Sequence, residues 1–132
     1  MAALDRPIVK RRPIYLNLFA IRQPLPAIVS ILHRVSGLLL FLIGIPVMLW
    51  GVQASLASPD SFSHFTAAMT LPVAKLVALV IAWACIHHVL AGLRHLMLDV
   101  HVGLDLPSAR RSAAIVLVLS LILTVMVAVR LW

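Results

Sequence analysis

Acidic residues are scarce in this chain: Asp and Glu together number four against eleven Lys and Arg, and all charged residues make up only 11% of the 132 positions. So few charges cannot clothe a water-exposed surface, which excludes an ordinary soluble globular domain. Cysteine occurs once, so an intrachain disulfide is excluded. That residue, Cys85, lies inside an apolar run and is read as packing. Aromatic residues are 6% of the chain and none interleave with the basic positions Arg6, Lys10, Arg11, Arg12 and Arg22. The formal net charge of +7 therefore does not make a nucleic-acid surface. It reads instead as a topology signal flanking a membrane helix.

What is abundant is apolar: 63% of the residues are hydrophobic. Crossing a hydrocarbon core about 30 Å thick takes roughly 20 apolar residues at about 1.5 Å rise each. Three runs, near 27–56, 71–98 and 110–131, are long enough. The pattern predicts an all-α membrane protein with a cytoplasmic N-terminal segment, 1–26, and a three-helix transmembrane domain, 27–132. The first run is too long for a signal peptide and a poor match to a small-residue cleavage site, so the basic segment before it is expected to be retained. Pro24 and Pro26 break the chain ahead of a helix starting near Ala27, and Gly44 with Pro46 in FLIGIPVMLWG allows a kink. The stretch ASPDSFSHFTAAMT, with Asp60 and His64 but no Lys or Arg, reads as the first loop. DVHVGLDLPSARR, ending in Arg110 and Arg111, reads as the second. The positive-inside rule then puts the N-terminus and the second loop on the cytoplasmic side, with Arg130 a weak opposing charge. Trp50 and Trp132 fit an interfacial belt and Trp83 needs no special role.

In this orientation the start of the first span and the end of the second meet at one membrane surface, and both polar clusters are there. On the second span His88, Gly92 and His95 are spaced i, i+4, i+7 and share a face, while His87 is rotated by about 100°. His88 lies too deep to snorkel, and an imidazole in hydrocarbon needs a partner, a cavity or a metal. It is suited to an axial bond to haem iron, with Gly92 leaving room for a macrocycle. The competing reading is a histidine hydrogen-bonded to a neighbouring helix carbonyl. Arg94, His95, His33 and Arg34 could meet haem propionates at the surface. Alternatively Arg94 reaches lipid phosphate or pairs with Asp99. On the first span Ser30 and Arg34 are i, i+4 neighbours continued by Gly37, a hydroxyl and a guanidinium that suit the carbonyl oxygens of a quinone. The plainer reading has Ser30 bonding back to its own helix and Arg34 anchoring at the headgroups.

Taken together, RPIYLNL near the N-terminus, SILHRVSG opening the first span, HVLAGLRHLMLD closing the second and a third span ending the chain resemble the cytochrome b subunit of succinate dehydrogenase. That subunit is the larger membrane anchor of respiratory complex II, and the likeness covers residues 11–132. The resemblance implies half of a heterodimeric six-helix anchor that shares one haem b with a second small membrane-anchor subunit and docks an iron-sulfur subunit and a flavoprotein subunit. It implies that His88 is the axial haem ligand, the partner anchor supplying the other. It makes Ser30 and Arg34 the ubiquinone site, and it places His33 and Arg34 beside a propionate. His87 and His101 fall outside the matching pattern and receive no role. The RPIYLNL and AIRQPLPAI stretches are most similar to the proteobacterial branch, which implies a bacterial inner membrane. Electrons from succinate would reach ubiquinone, Ser30 bonding one carbonyl and Arg34 stabilising negative charge, with protons taken from the cytoplasmic side. The rivals are an anchor of a fumarate reductase, a self-sufficient haem protein using both His33 and His88, and a non-enzymatic assembly subunit or small transporter component glued by its polar clusters.

Overall fold

The computed structural model of this chain describes residues 20–132. The basic positions Arg6, Lys10, Arg11 and Arg12, the RPIYLNL stretch and most of segment 1–26 lie outside the described residues. The first span begins with α1 (Leu25–Leu39), passes through a π-helical turn (Leu40–Gly44) and continues as α2 (Ile45–Leu56). A short helix, α3 (Pro59–Met69), follows, then α4 (Pro72–Asp99) and α5 (Leu106–Leu131). Three helices are long and apolar enough to cross a membrane, Leu25–Leu56, Pro72–Asp99 and Leu106–Leu131, of 32, 28 and 26 residues. At about 1.5 Å per residue they are roughly 39 to 48 Å long, so each carries a turn or more beyond a hydrocarbon core of about 30 Å.

Proline sets several of these boundaries. Pro24 is the extended N-cap of α1, and Pro26 sits in the first helical turn, where a missing N–H costs nothing because that donor has no partner in any case. The kink expected at Gly44 and Pro46 takes the form of the π turn. The Ile45 N–H donates five residues back, to the Leu40 carbonyl. Pro46 can donate to no carbonyl and its ring would press on the one four residues earlier, so an extra residue in the preceding turn relieves both problems without breaking the helix.

The stretch read as the first loop contains α3. Ser58 Oγ accepts from the Ser61 N–H at 3.1 Å while the Ser58 N–H donates to Ser61 Oγ at 2.9 Å, a reciprocal cap with Pro59 in the first turn. Phe65 of α3 then meets Trp50 edge-on, ring centroids 5.9 Å apart, folding the short helix back on the end of the first span. The third span starts a turn earlier than its apolar run, because Asp105 caps it: a carboxylate oxygen accepts from the Ser108 N–H at 3.0 Å. That bond holds the Asp105 carboxyl below its usual range. The cap is therefore intact above the ordinary carboxylate pKa and is lost as pH falls through the lower, folded value. We expect hydrogen exchange of the Ser108 amide, normalised to its intrinsic rate, to rise only in that acid range. Asp105→Asn should retain the cap without the pH dependence, and Asp105→Ala should lose it at every pH.

The turn between α4 and α5 explains His101. It has φ 65°, the left-handed region, and it follows the α4 C-cap, Val100. The Val102 N–H donates to the Met97 carbonyl at 2.9 Å and the His101 N–H to the Leu98 carbonyl at 3.0 Å, the paired bonds of a Schellman ending. A side chain in that conformation costs about 1 kcal/mol. His101→Gly should recover part of it, read as slower hydrogen exchange of the Val100–Val102 amides; an unchanged rate would show that the turn is held from outside these residues.

α4 packs against both α1 and α5, and α1 also meets α5. What is buried between them is small or polar: Val29, Ala84, Ala91, Ala113 and Val116, with Ser36, His87, Arg94, Ser120 and Thr124. The large hydrophobic residues, Leu38, Phe41, Leu93, Leu96, Ile115 and Leu121 among them, are exposed on the outside of the bundle. This inverts a soluble core. Lipid solvates apolar side chains as well as another helix does, so helices associate through close backbone approach and polar contacts rather than apolar burial. Cys85, read as packing, is exposed on the outer face of α4.

Candidate functional site: a histidine stack at one end of the bundle

The antiparallel course of α1 and α4 brings His33 between His88 and His95. The His33 and His88 rings are stacked at 4.2 Å with an interplanar angle of 19°, and the His33 and His95 rings at 4.9 Å and 24°. His88 and His95 are two turns apart on one face of α4, so a single ring from α1 fits between them. Two glycines make the approach possible. A Cβ on Gly37 would lie 2.8 Å from His88 Cε1, closer than atoms can come, and one on Gly92 would touch His33 Nε2 at 3.5 Å. The clearance above Gly92, expected to serve a macrocycle, is thus taken up by the His33 imidazole.

The hydrogen bonds define how the outer rings are held. His88 Nδ1 lies 3.1 Å from the His33 carbonyl oxygen and 3.2 Å from Ser36 Oγ. A carbonyl only accepts, so Nδ1 carries the proton and Nε2 carries the lone pair. Ser36 in turn donates its O–H to the same His33 carbonyl at 2.8 Å. The helix-carbonyl partner considered for His88 is therefore real, and it leaves the other ring nitrogen able to bind a metal. His95 repeats the arrangement within its own helix, its Nδ1 2.6 Å from the Ala91 carbonyl. The three rings meet face to face, so the in-plane lone pairs of His33 and His88 do not converge on one point between them. Among the described residues no three of His, Cys, Asp or Glu come together as a metal-ligand cluster. Ligation of a single iron by both His33 and His88 does not fit this geometry.

Arg94 goes elsewhere. It is only 6% exposed, and its guanidinium crosses to α5, where Nε donates to Ser112 Oγ at 3.0 Å and an Nη to the Ala109 carbonyl at 3.3 Å. It is a brace between α4 and α5, neither paired with Asp99 nor reaching out to lipid phosphate, and it is not brought to the histidine stack. Arg34 is exposed and Ser30 half-buried on α1, adjoining His33. Among the described residues neither makes a side-chain hydrogen bond, so Ser30 does not bond back to the turn before it.

His87 also acquires a place. It is fully buried, lies 3.3 Å through Nδ1 from Ser120 Oγ, and stacks on Trp83 one turn earlier at 5.6 Å. Its Nε2 has no partner among the described residues. Ser120 and Thr124, an i, i+4 pair on an otherwise apolar span, were the available signal that α5 turns a polar stripe toward α4. Ser36 gave a similar signal, one turn beyond His33. Two grooves between α4 and α5 have volumes of about 690 Å³ and 330 Å³. Their walls are mostly aliphatic, with Arg130 and Arg94 their only charged residues among the described ones, so the titratable chemistry lies with the histidines.

A family model described as the succinate dehydrogenase/fumarate reductase transmembrane subunit matches residues 9–127. The chain is 36% identical to the succinate dehydrogenase cytochrome b556 subunit of Coxiella burnetii over 92% of its own length and 98% of that relative's. It is 33% identical to the cytochrome b556 subunit of Paracoccus denitrificans over 87% and 88% of the two chains. It is 29% identical to the mitochondrial cytochrome b560 subunit of Sus scrofa over 86% of this chain and 68% of that one. With three spanning helices, the paired SILHRVSG and HVLAGLRHLMLD motifs and this match over nearly its whole length, the chain belongs to the succinate dehydrogenase/fumarate reductase transmembrane subunit family.

Proposed function

We propose that this chain is the cytochrome b membrane anchor of a succinate:ubiquinone oxidoreductase in a bacterial inner membrane, with its N-terminus cytoplasmic. In this reading His88 would hold the iron of a haem b shared with a second anchor subunit, and Ser30 and Arg34 would form part of a quinone-reduction site. The observation that carries it is the state of the His88 ring. Nδ1–H is bound to a backbone carbonyl, leaving Nε2 as a lone-pair donor, the arrangement usual for a metal-bound histidine whose other nitrogen is hydrogen-bonded. His95 is bonded in the same way within its own helix, but the stacked rings of this chain do not converge on one iron, so a second ligand would come from the partner anchor.

When bound, the haem supplies a one-electron carrier beside the quinone site. The work of this chain's own residues is to hold and polarise the quinone. The Ser30 hydroxyl donates to one carbonyl oxygen, and the Arg34 guanidinium stabilises negative charge as electrons arrive from the iron-sulfur subunit. Two electrons released by succinate oxidation on the flavoprotein, together with two protons from the cytoplasmic side, convert quinone to quinol. His33 and His95, stacked with His88 near the same surface, are assigned to the propionates with Arg34. Arg94, held by α5, is assigned to keep α4 in register rather than to meet that charge directly, and Gly92 to admit the His33 ring.

The name of the family covers fumarate reductases as well, and the same anchor could serve the reverse direction. A reduced-minus-oxidised visible spectrum of the complex purified in mild detergent tests the reading. A sharp b-type α band, with succinate-dependent ubiquinone reduction by the same preparation, is the expected result. A flat spectrum from an intact complex would return His88 to helix packing, and quinol-dependent fumarate reduction without the forward activity would favour the second direction.

A further inference from the structure

We infer that Ser36 and Gly37 are positioning residues for His88, setting which ring nitrogen is presented and at what angle; this rests on the reading of His88 as an axial ligand. Ser36 is fully buried on α1, in a bundle whose surroundings are apolar. A buried hydroxyl is almost always hydrogen-bonded. Its O–H goes to the His33 carbonyl at 2.8 Å, and its lone pair faces His88 Nδ1 at 3.2 Å. The carbonyl receives the same Nδ1–H at 3.1 Å. The imidazole proton is thus shared between two acceptors that are themselves bonded to each other, which fixes the rotation of the ring as well as its tautomer. A lone carbonyl would fix the tautomer alone, leaving the ring free to swing about that single contact.

Gly37 acts on the opposite degree of freedom. With a Cβ 2.8 Å from Cε1 and 3.3 Å from Nδ1, any side chain at that position would drive the ring away from its two acceptors. The neighbouring atoms are a ring held in a hydrogen-bonded cage, with no flexible end able to yield. Hydroxyl and glycine are consecutive, and both face α4 because α1 crosses it there. The pair therefore sets the distance and the angle at which His88 offers Nε2, and the strength of the Nδ1–H bond sets how basic that nitrogen is.

The test uses the intact purified complex carrying Ser36→Ala, Ser36→Thr or Gly37→Ala, with His88→Ala as reference. The readouts are the electron paramagnetic resonance signal of the low-spin ferric haem and the rate of haem loss to an excess of an apo-globin acceptor. Loss of a hydrogen bond to the free nitrogen of a metal-bound histidine typically weakens metal binding about 10- to 100-fold. The retained carbonyl puts Ser36→Ala at the low end, so we expect roughly tenfold faster haem loss with a shifted signal. Ser36→Thr, which keeps the hydroxyl, should restore the parental signal. Gly37→Ala, which keeps the hydroxyl but displaces the ring, should shift the signal too, and it decides the matter if Ser36→Ala does not assemble. Parental signal and haem retention in Ser36→Ala and Gly37→Ala, beside haem loss in His88→Ala, would overturn the positioning role and leave the ligand assignment standing. Full haem retention in His88→Ala would overturn both, and the two failures are distinguished by that single reference.

Discussion

His88→Ala is expected to lower the haem content of the assembled complex at least tenfold, equivalent to about 1.4 kcal/mol or more of binding, while the three spanning helices persist. The fold should tolerate the change because the groups that hold the ring remain satisfied without it. Ser36 still donates to the His33 carbonyl at 2.8 Å, so removal of the imidazole orphans no buried donor. The Ala84, Ala91 and Ala113 contacts that bring the helices together are elsewhere on α4 and α5. Haem per complex by pyridine haemochrome, read beside helix content by circular dichroism, separates the two effects. Retention of haem at the parental level would show that the iron is held by other residues. Loss of haem together with loss of helix would make His88 a packing residue.

The second large effect is expected at Arg34. Its residue is exposed next to His33 and makes no side-chain hydrogen bond among the described residues, so neutralising it breaks no such bond among them. If it stabilises charge on the quinone, Arg34→Leu should lower succinate-dependent ubiquinone reduction on the order of 100-fold, the scale on which a single preorganised donor acts in an active site. Ser30→Ala, the loss of one neutral hydrogen bond of about 1 kcal/mol, should cost roughly five- to tenfold. Electron delivery to a soluble artificial acceptor, which bypasses the membrane site, should persist in both. A parallel fall in the two activities would point to assembly rather than quinone binding, and unchanged ubiquinone reduction in Arg34→Leu would remove Arg34 from the site.

The three spans were legible from hydropathy because a helix in lipid must be apolar over its whole length, a requirement that leaves a long and unambiguous run. Their ends were less so. The Ser58 and Ser61 cap of α3 and the Asp105 cap of α5 lie in polar stretches where no apolar period announces a helix, although the residues that cap are visible once sought. Likewise FLIGIPVMLWG showed that the first span bends, since Pro46 lacks a donor, but not that an added residue in one turn absorbs the strain.

For the site, the available chemistry could be read along the chain. Histidines at i and i+7 share a helix face, and the antiparallel course of successive spans brings the start of the first and the end of the second to one end of the bundle. What lay beyond it was any relation between side chains on different helices, because periodicity reports the face of a helix but not its neighbour. It took the packed helices to show that His33 enters between His88 and His95, that Arg94 turns to Ser112 of α5, and that Ser36 with the His33 carbonyl holds His88 by Nδ1. The physical reason is that crossing helices meet where small residues let them approach, here Gly37 and Gly92. Which polar groups then satisfy one another is settled by that crossing rather than by their spacing along either chain.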